Sequence, residues 1–158
     1  DLLTRERWDG AGGGEIAHGV LGPMGATEGR VRIAGPKTAL TPRNALAMSM
    51  AFHELGTNAL KYGALSCSDG WVELAWTVDG DELALSWIEH GGPTVSPPTR
   101  SGFGSRLLTR GLAAELRGQV ELRYAPTGLQ CHIKAQLDTE PDSRSSETGG
   151  HWPEASPA

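Results

Sequence analysis

Cysteine, excess positive charge and long apolar runs are all scarce in this chain. Its 158 residues include only two cysteines, Cys67 and Cys131, and no CxxC pair. This argues against a disulfide framework or a cysteine-ligated zinc site, and it fits a reducing cytoplasm. The 14 basic and 19 acidic residues give a net charge of −5, which is not the basic footprint of a nucleic-acid-binding protein. No apolar run approaches the roughly 20 residues of a membrane-spanning helix. We therefore expect contact with neither nucleic acid nor membrane.

The length and the uneven composition predict one domain between two segments of different character. A chain of this length suits a single domain with its own core. Residues 1–14 begin with a helical composition and end in the run GAGGG, which is typical of a flexible joint. Residues 138–158 are rich in Ser, Pro, Glu and Gly, which predicts a disordered tail. The folded domain is expected to span residues 15–137.

The most informative stretch is residues 47–66, AMSMAFHELGTNALKYGALS. Its apolar residues recur at spacings of three and four, which predicts a helix with one buried face; these residues are Met48, Phe52, Leu55 and Ala59. Thr41 before Pro42 is a favourable helix start, and Gly63 is a favourable stop. The pattern therefore predicts a helix over residues 42–62.

Polar side chains follow one edge of this predicted helix. Glu54, Asn58 and Lys61 are spaced four and then three apart, so they are neighbours on the helix surface. Asn58 is costly in mid-helix and must find partners. For Lys61 and Tyr62 a purely structural role is the simpler alternative to ligand binding: both side chains could cover and cap the end of the helix. A carboxylate, an amide and an ammonium beside an apolar face are typical of a helix that lines a ligand cleft.

The rest of the domain shows the alternation of strands. Residues 72–78 and 83–89 alternate around an Asp-Gly pair, which predicts a hairpin, and a second hairpin is predicted over residues 120–137. Helical spacing is predicted over residues 15–21 and 103–116, and short strands over residues 30–34 and 38–40. Because strands joined by tight turns are antiparallel, this order predicts an α+β fold. We expect a two-layer α/β sandwich whose mixed, mainly antiparallel sheet is covered by helices on one face.

In the hairpin predicted over residues 72–89, the inward-facing residues of the second strand end with a carboxylate. Glu89 continues the face of Leu83, Leu85 and Trp87, and a buried carboxylate needs hydrogen-bond donors. The 6-amino group of a purine is one such donor, and Gly91-Gly92 would let a flat ring approach the backbone. An exposed strand-end glutamate is the plainer alternative. The tryptophans of both strands are interpreted as packing residues and not as base-stacking platforms.

Two further motifs are weaker. Gly102-Phe103-Gly104 enters a predicted helix whose first turn holds Arg106. Free backbone N–H groups at a helix start favour anions, although a glycine pair needed only for the turn is the more frequent explanation. A zinc-protease HExxH motif is excluded because Thr57 replaces the second histidine. His53 is then predicted to be a core or supporting histidine.

Together these stretches resemble one known family. HELGTNALKYGALS resembles the N box of the HWE subgroup of bacterial sensor histidine kinases, WIEHGGP resembles the G1 box, and RSGFGSRLL resembles the G2 box. The subgroup is named for an N-box histidine, here His53, and for a Trp-x-Glu, here Trp87-Ile88-Glu89. The resemblance covers about residues 1–137. It implies an ATP-binding catalytic domain with the Bergerat-type fold of the gyrase, histidine kinase and MutL superfamily.

The resemblance also implies a role for each matching residue. Asn58 is similar to the Mg²⁺ ligand, Lys61 to the phosphate-contacting lysine, and Glu89 to the acid that reads the adenine amino group. Glu54 corresponds to a candidate base, and His53 and Trp87 to supporting residues. The further residues implied to contact ATP are Tyr62, Gly91, Gly92, Gly102, Phe103, Gly104 and Arg106.

The function implied is a protein-histidine kinase half-site. Such a domain binds Mg·ATP and transfers the γ-phosphate to a histidine on a separate dimerisation domain. No histidine of this chain resembles that acceptor, and residues 2–11 resemble only the end of the dimerisation helices. The resemblance implies a cytoplasmic fragment that is monomeric, does not autophosphorylate alone, and comes from a dimeric kinase with a response regulator as partner. The alternatives are a nucleotide-gated interaction module and a protein serine kinase of the same superfamily.

Overall fold

The computed structural model describes residues 12–93 and 112–138. Helices in this part of the chain are α1 (Gly13–Leu21), α2 (Pro42–Lys61) and α3 (Leu112–Leu116), with a π-helical turn at Gly22–Ala26 and a 3₁₀ turn at Ala64–Ser66. The strands are β1 (Val31–Ala34), β2 (Trp71–Asp79), β3 (Glu82–His90), β4 (Gln119–Ala125) and β5 (Gly128–Gln136). None of the helices in these ranges is long and apolar enough to cross a membrane.

The five strands form one mixed sheet in the order β1-β2-β3-β5-β4. β1 runs parallel to β2, and the other three pairs are antiparallel. Alternate residues of β2, β3 and β5 are buried together with the apolar faces of α1 and α2, so the helices cover one face of the sheet. The predicted α+β sandwich and both predicted hairpins are therefore confirmed.

Helix α2 is the spine of the helical layer. The Thr41 hydroxyl accepts a hydrogen bond from the Asn44 amide at 3.2 Å, and Pro42 occupies the first turn, as the sequence predicts. The four residues of the predicted apolar face are at most 2% exposed. The helix ends at Lys61, one residue before the predicted end. Gly63 therefore follows the last helical turn after a single residue.

The structure differs from the prediction before α2. The predicted strand over residues 38–40 is wrong, because Ala39 forms only an isolated bridge with Gly12. The Thr38 hydroxyl donates to the Pro36 carbonyl at 2.8 Å and accepts from the Trp76 indole at 3.1 Å, which favours a local turn over a ladder. Helix α1 also begins at Gly13, inside the stretch predicted as a flexible joint, and the Gly13 amide donates to the Thr38 carbonyl at 2.9 Å.

Candidate functional site

Glu89 lies at the end of β3 with its side chain turned into the core. It is 2% exposed. Its Oε1 accepts a hydrogen bond from the Ala64 amide at 2.9 Å, and its Oε2 accepts one from the Trp87 indole Nε1 at 2.9 Å. Two oxygens of a carboxylate offer about four acceptor positions. The carboxylate is therefore held by one donor on each oxygen and retains capacity for a further donor.

Burial and hydrogen bonding have opposite effects on this carboxyl group. Burial raises the pKa of Glu89 above its ordinary value, and the hydrogen bonds from Trp87 and Ala64 partly offset that rise. The neighbouring Cys131 responds to the same environment, since burial and the charge of Glu89 raise the pKa of its thiol to about 12. Cys131 therefore stays protonated and is a packing residue, not a nucleophile.

The donor Ala64 belongs to a compact turn between α2 and β2, residues 63–70, which we call the Ala64 turn. Its first residue continues α2, because the Gly63 amide donates to the Ala59 carbonyl at 3.0 Å. A Cβ on Gly63 would lie 2.2 Å from Glu89 Oε1, and one on Gly92 would lie 2.5 Å from Ala64 Cα. Only glycines allow this contact. The end of β3 and the end of α2 therefore meet at the Ala64 turn.

Three of the predicted site residues follow the edge of α2 toward this meeting point. Glu54 and Asn58 are half-buried, and Lys61 is exposed. Tyr62, which caps the helix through its amide to the Asn58 carbonyl at 2.8 Å, is 72% exposed. Asn58 and Lys61 therefore lie on the last two turns of α2, the helix that ends beside Glu89.

The structure brings some predicted residues together and corrects one. Glu89, Gly91 and Gly92 lie at the end of β3, beside the turn that follows α2, and Gly91 has a positive φ of 73°. His53 is exposed on α2, because the helix turns this position away from the sheet. The alternative of a core histidine is therefore wrong, and the supporting role of His53 stays a prediction. The residues from Gly102 to Arg106 lie outside the described part of the chain. The chemical roles assigned to all these residues stay predictions.

Sequence reasoning missed the backbone part of the site. No side-chain pattern identifies the Ala64 amide as the partner of Glu89, because every non-proline residue carries the same group. The Trp87 donor could have been found, since residues two apart on a strand share a face. The packing interpretation of the tryptophans fits the geometry: Trp87 is fully buried, and Trp71 stacks on His90 at 4.2 Å with Arg32 3.9 Å over its ring.

The fold of this chain is shared with solved histidine kinase domains. A histidine kinase domain from Erythrobacter litoralis matches 85% of this chain and 63% of that chain with a TM-score of 0.62 at 20% identity. A mycobacterial sensor histidine kinase matches 82% of this chain and 99% of that chain with a TM-score of 0.61 at 14% identity. The fold is that of a histidine kinase catalytic domain.

Sequence similarity points to the same class. The blue-light-activated histidine kinase of Brucella anthropi is 39% identical over a 145-residue alignment, and the match covers 89% of this chain and 30% of that protein. Its Brucella abortus counterpart is 37% identical with the same coverage. No protein-family model matches the chain. The chain is thus homologous to histidine kinases, and the resemblance seen in its motifs is confirmed. It spans 30% of the length of these relatives.

Proposed function

We propose that this domain is the ATP-binding catalytic domain of a two-component sensor histidine kinase. It binds Mg·ATP and delivers the γ-phosphate to a histidine on a separate dimerisation domain. The observation that carries the proposal is the buried Glu89 carboxylate, which is fixed by two donors and has acceptor capacity left, beside the end of the helix that bears Asn58 and Lys61.

The junction around Glu89 suits an adenine base. A buried carboxylate favours a ligand that brings a hydrogen-bond donor, because an unmatched acceptor loses its hydration without compensation. The 6-amino group of adenine is such a donor, whereas guanine has a carbonyl oxygen at that position. The missing side chains at Gly63 and Gly92 let the chain's own backbone close around the carboxylate, because a Cβ at either position would overlap Glu89 or Ala64. The site therefore favours ATP over GTP.

The polar side chains at the end of α2 suit the triphosphate of ATP and its Mg²⁺ ion. Among residues 12–93 and 112–138, no cluster of three His, Cys, Asp or Glu side chains could cage a metal ion. Mg²⁺ is commonly held by one or two protein oxygens together with water and phosphate oxygens, so the single amide oxygen of Asn58 fits. Lys61 would neutralise phosphate charge, as would Arg106 beyond the described residues. Bound Mg·ATP supplies the phosphoryl group, and the chain's residues supply position and charge.

The remaining roles follow from the family. Gly102, Phe103 and Gly104 would close over the triphosphate, Tyr62 would flank the nucleotide, and Glu54 is a candidate base. The receiving histidine would lie on the parent kinase's dimerisation helices, and a response regulator would take the phosphate from it. The greater length of the relatives supports such additional domains. We expect this domain alone to be a cytoplasmic monomer.

The test combines this domain with a separately produced protein that carries the parent kinase's dimerisation helices. We expect phosphohistidine on the helices when Mg·ATP is present. Asn58→Ala should lower the rate at least about a hundredfold, by loss of the metal ligand, whereas the exposed amide variant Gln136→Ala should match the wild type. ATP binding with no phosphohistidine, when both proteins are folded, would instead support a nucleotide-gated interaction module.

A further inference from the structure

The Ala64 turn is held from outside by one side chain that no motif includes. Arg30 directly precedes β1, and its guanidinium faces the turn. Its Nε and Nη2 donate to the Gly70 carbonyl at 3.1 and 2.8 Å, and Nη2 also contacts the carbonyls of Cys67 and, at 3.5 Å, Ala64. One cation thus contacts three carbonyl oxygens of a single turn, and two of its nitrogens donate to the same Gly70 carbonyl, a contact that the single nitrogen of a lysine ammonium cannot make.

The same turn supplies the donor that fixes Glu89. The Ala64 amide binds Glu89 Oε1 at 2.9 Å. The two ends of the turn touch, because a Cβ on Gly70 would lie 1.8 Å from the Ala64 carbonyl oxygen. Arg30 therefore bridges the two ends of the turn, through the Gly70 carbonyl and, at the longer distance, through the carbonyl of Ala64.

The backbone of Arg30 is anchored independently of its side chain. Its amide donates to the Gly25 carbonyl at 2.8 Å, and its carbonyl accepts from the Val72 amide at 2.8 Å at the start of the β1–β2 pairing. A change of the Arg30 side chain should therefore leave the strand in place and release the turn alone.

We propose that Arg30 is a positioning residue for base recognition: its guanidinium holds the Ala64 turn so that the Ala64 amide orients the Glu89 carboxylate toward the nucleobase amino group. This inference rests on the proposed function. It predicts an effect on selectivity and not on general nucleotide affinity, because the phosphate contacts proposed for Asn58 and Lys61 come from α2, which precedes the turn. A ligand that lacks the 6-amino group should be insensitive to Arg30.

The experiment compares the dissociation constants of ATP and purine riboside triphosphate, which differ only in that amino group. Wild type should prefer ATP. Arg30→Met and Arg30→Lys should reduce the preference about tenfold, the equivalent of one hydrogen bond to a charged group, with binding of purine riboside triphosphate unchanged. The matched control is Arg32→Met, two residues further along the chain in β1, where the guanidinium lies over the Trp71 ring instead; it should retain the wild-type preference.

A second readout needs no nucleotide. In ¹H–¹⁵N spectra the Ala64 amide, which donates to a carboxylate, should shift upfield and exchange faster in the Arg30 variants and stay in place in Arg32→Met. If Arg30→Met does not fold, Arg30→Lys decides. An unchanged preference together with an unchanged Ala64 amide would overturn the role of Arg30. A wild-type domain that binds neither nucleotide would overturn the proposed function, and the amide readout would still test Arg30.

Discussion

Glu89 combines two demands that usually conflict. Ionised carboxylates are costly to bury, and the burial raises the pKa of Glu89, while the Trp87 and Ala64 donors stabilise the charged form. The Trp-x-Glu spacing has a simple physical reason: residues two apart on a strand point to the same side, which brings the indole N–H within 2.9 Å of the carboxylate. The tryptophan is therefore a hydrogen-bond donor as well as a core residue.

The first prediction concerns the pH dependence of ATP binding. Because the pKa of Glu89 lies above the ordinary glutamate value of about 4.3, the acceptor for the amino group is fully available above that raised pKa. It is lost as the pH falls through it. ATP affinity should therefore decrease severalfold on acidification, and the affinity of purine riboside triphosphate should not show this extra decrease. Isothermal titration of both ligands across pH measures the difference.

The hydrogen bond from the Trp87 indole should determine the pH at which ATP affinity decreases. Trp87→Phe removes the indole N–H and keeps an aromatic ring, so the pKa of Glu89 should rise further and the loss of ATP affinity should begin at higher pH. Trp76→Phe is the control, because the Trp76 indole donates at 3.1 Å to Pro36 and Thr38, away from Glu89. A Trp87→Phe profile that superposes on the wild-type profile would contradict this role.

At the scale of elements, the site depends on a close approach between the end of β3 and the Ala64 turn. A Cβ on Gly92 would lie 2.5 and 2.8 Å from the Ala64 Cα and N atoms, which are backbone atoms that cannot rotate away. Gly92→Ala should therefore lower the free energy of unfolding by about 1–3 kcal/mol and weaken ATP binding at least about tenfold through displacement of the Ala64 amide. Urea unfolding and titration calorimetry measure the two effects.

A second glycine provides the contrast. Gly19 lies within α1, and a Cβ there would meet nothing within 4 Å. Gly19→Ala should raise the free energy of unfolding by up to about 1 kcal/mol, because alanine loses less backbone freedom in a helix. ATP affinity should not change. If Gly92→Ala were as harmless as Gly19→Ala, the contact between β3 and the turn would not control the site.

Elements with strong periodicity were predictable, and elements made by long-range contacts were not. The 3.6-residue spacing and the Thr41-Pro42 start predicted α2 to within one residue, and alternation around Asp79-Gly80 predicted the first hairpin. The prediction of a strand over residues 38–40 was wrong because the indole of Trp76, far along the chain, donates to the Thr38 hydroxyl and to the Pro36 carbonyl just before this segment. Local pattern cannot report such a partner.

At the scale of the whole molecule, the predicted site residues divide by the origin of their signal. Side chains that project from regular elements, Glu89 and Asn58 among them, could be placed on faces by counting. Of the two donors to Glu89, the Trp87 indole follows from the strand pattern, whereas the Ala64 amide does not, and the partners of Arg30 in the same turn are 34 to 40 residues away from it in sequence. The tertiary fold brings the Ala64 turn to Glu89 and Arg30, so a single sequence predicts the faces of side chains on regular elements better than their long-range partners.

The opposite end of α2 holds a second polar cluster that ties three parts of the molecule together. Asn44 is 1% exposed, and its Oδ1 accepts from the Asp138 amide at 2.7 Å and from the Thr41 hydroxyl at 3.2 Å. Asp138 in turn pairs with Arg117 beyond α3. This cluster joins the start of α2, the residue after α3 and the chain beyond β5, and along the helix axis it lies roughly 25 Å from Lys61.

Stability and ligand binding should therefore be separable at this end. Asn44→Ala leaves a partly buried amide of Asp138 without its acceptor, so the free energy of unfolding should fall by about 1–3 kcal/mol, while the folded domain should bind ATP within about twofold of wild type, because sites this far apart act independently. Urea unfolding measures the change in stability, and titration calorimetry below the unfolding temperature measures ATP affinity. The adjacent control Arg43→Ala breaks only an exposed pair with Glu115 at 3.6 Å and should cost less than about 1 kcal/mol. A large loss of ATP affinity in folded Asn44→Ala would show instead that the Asn44 cluster and the Glu89 site are coupled through α2.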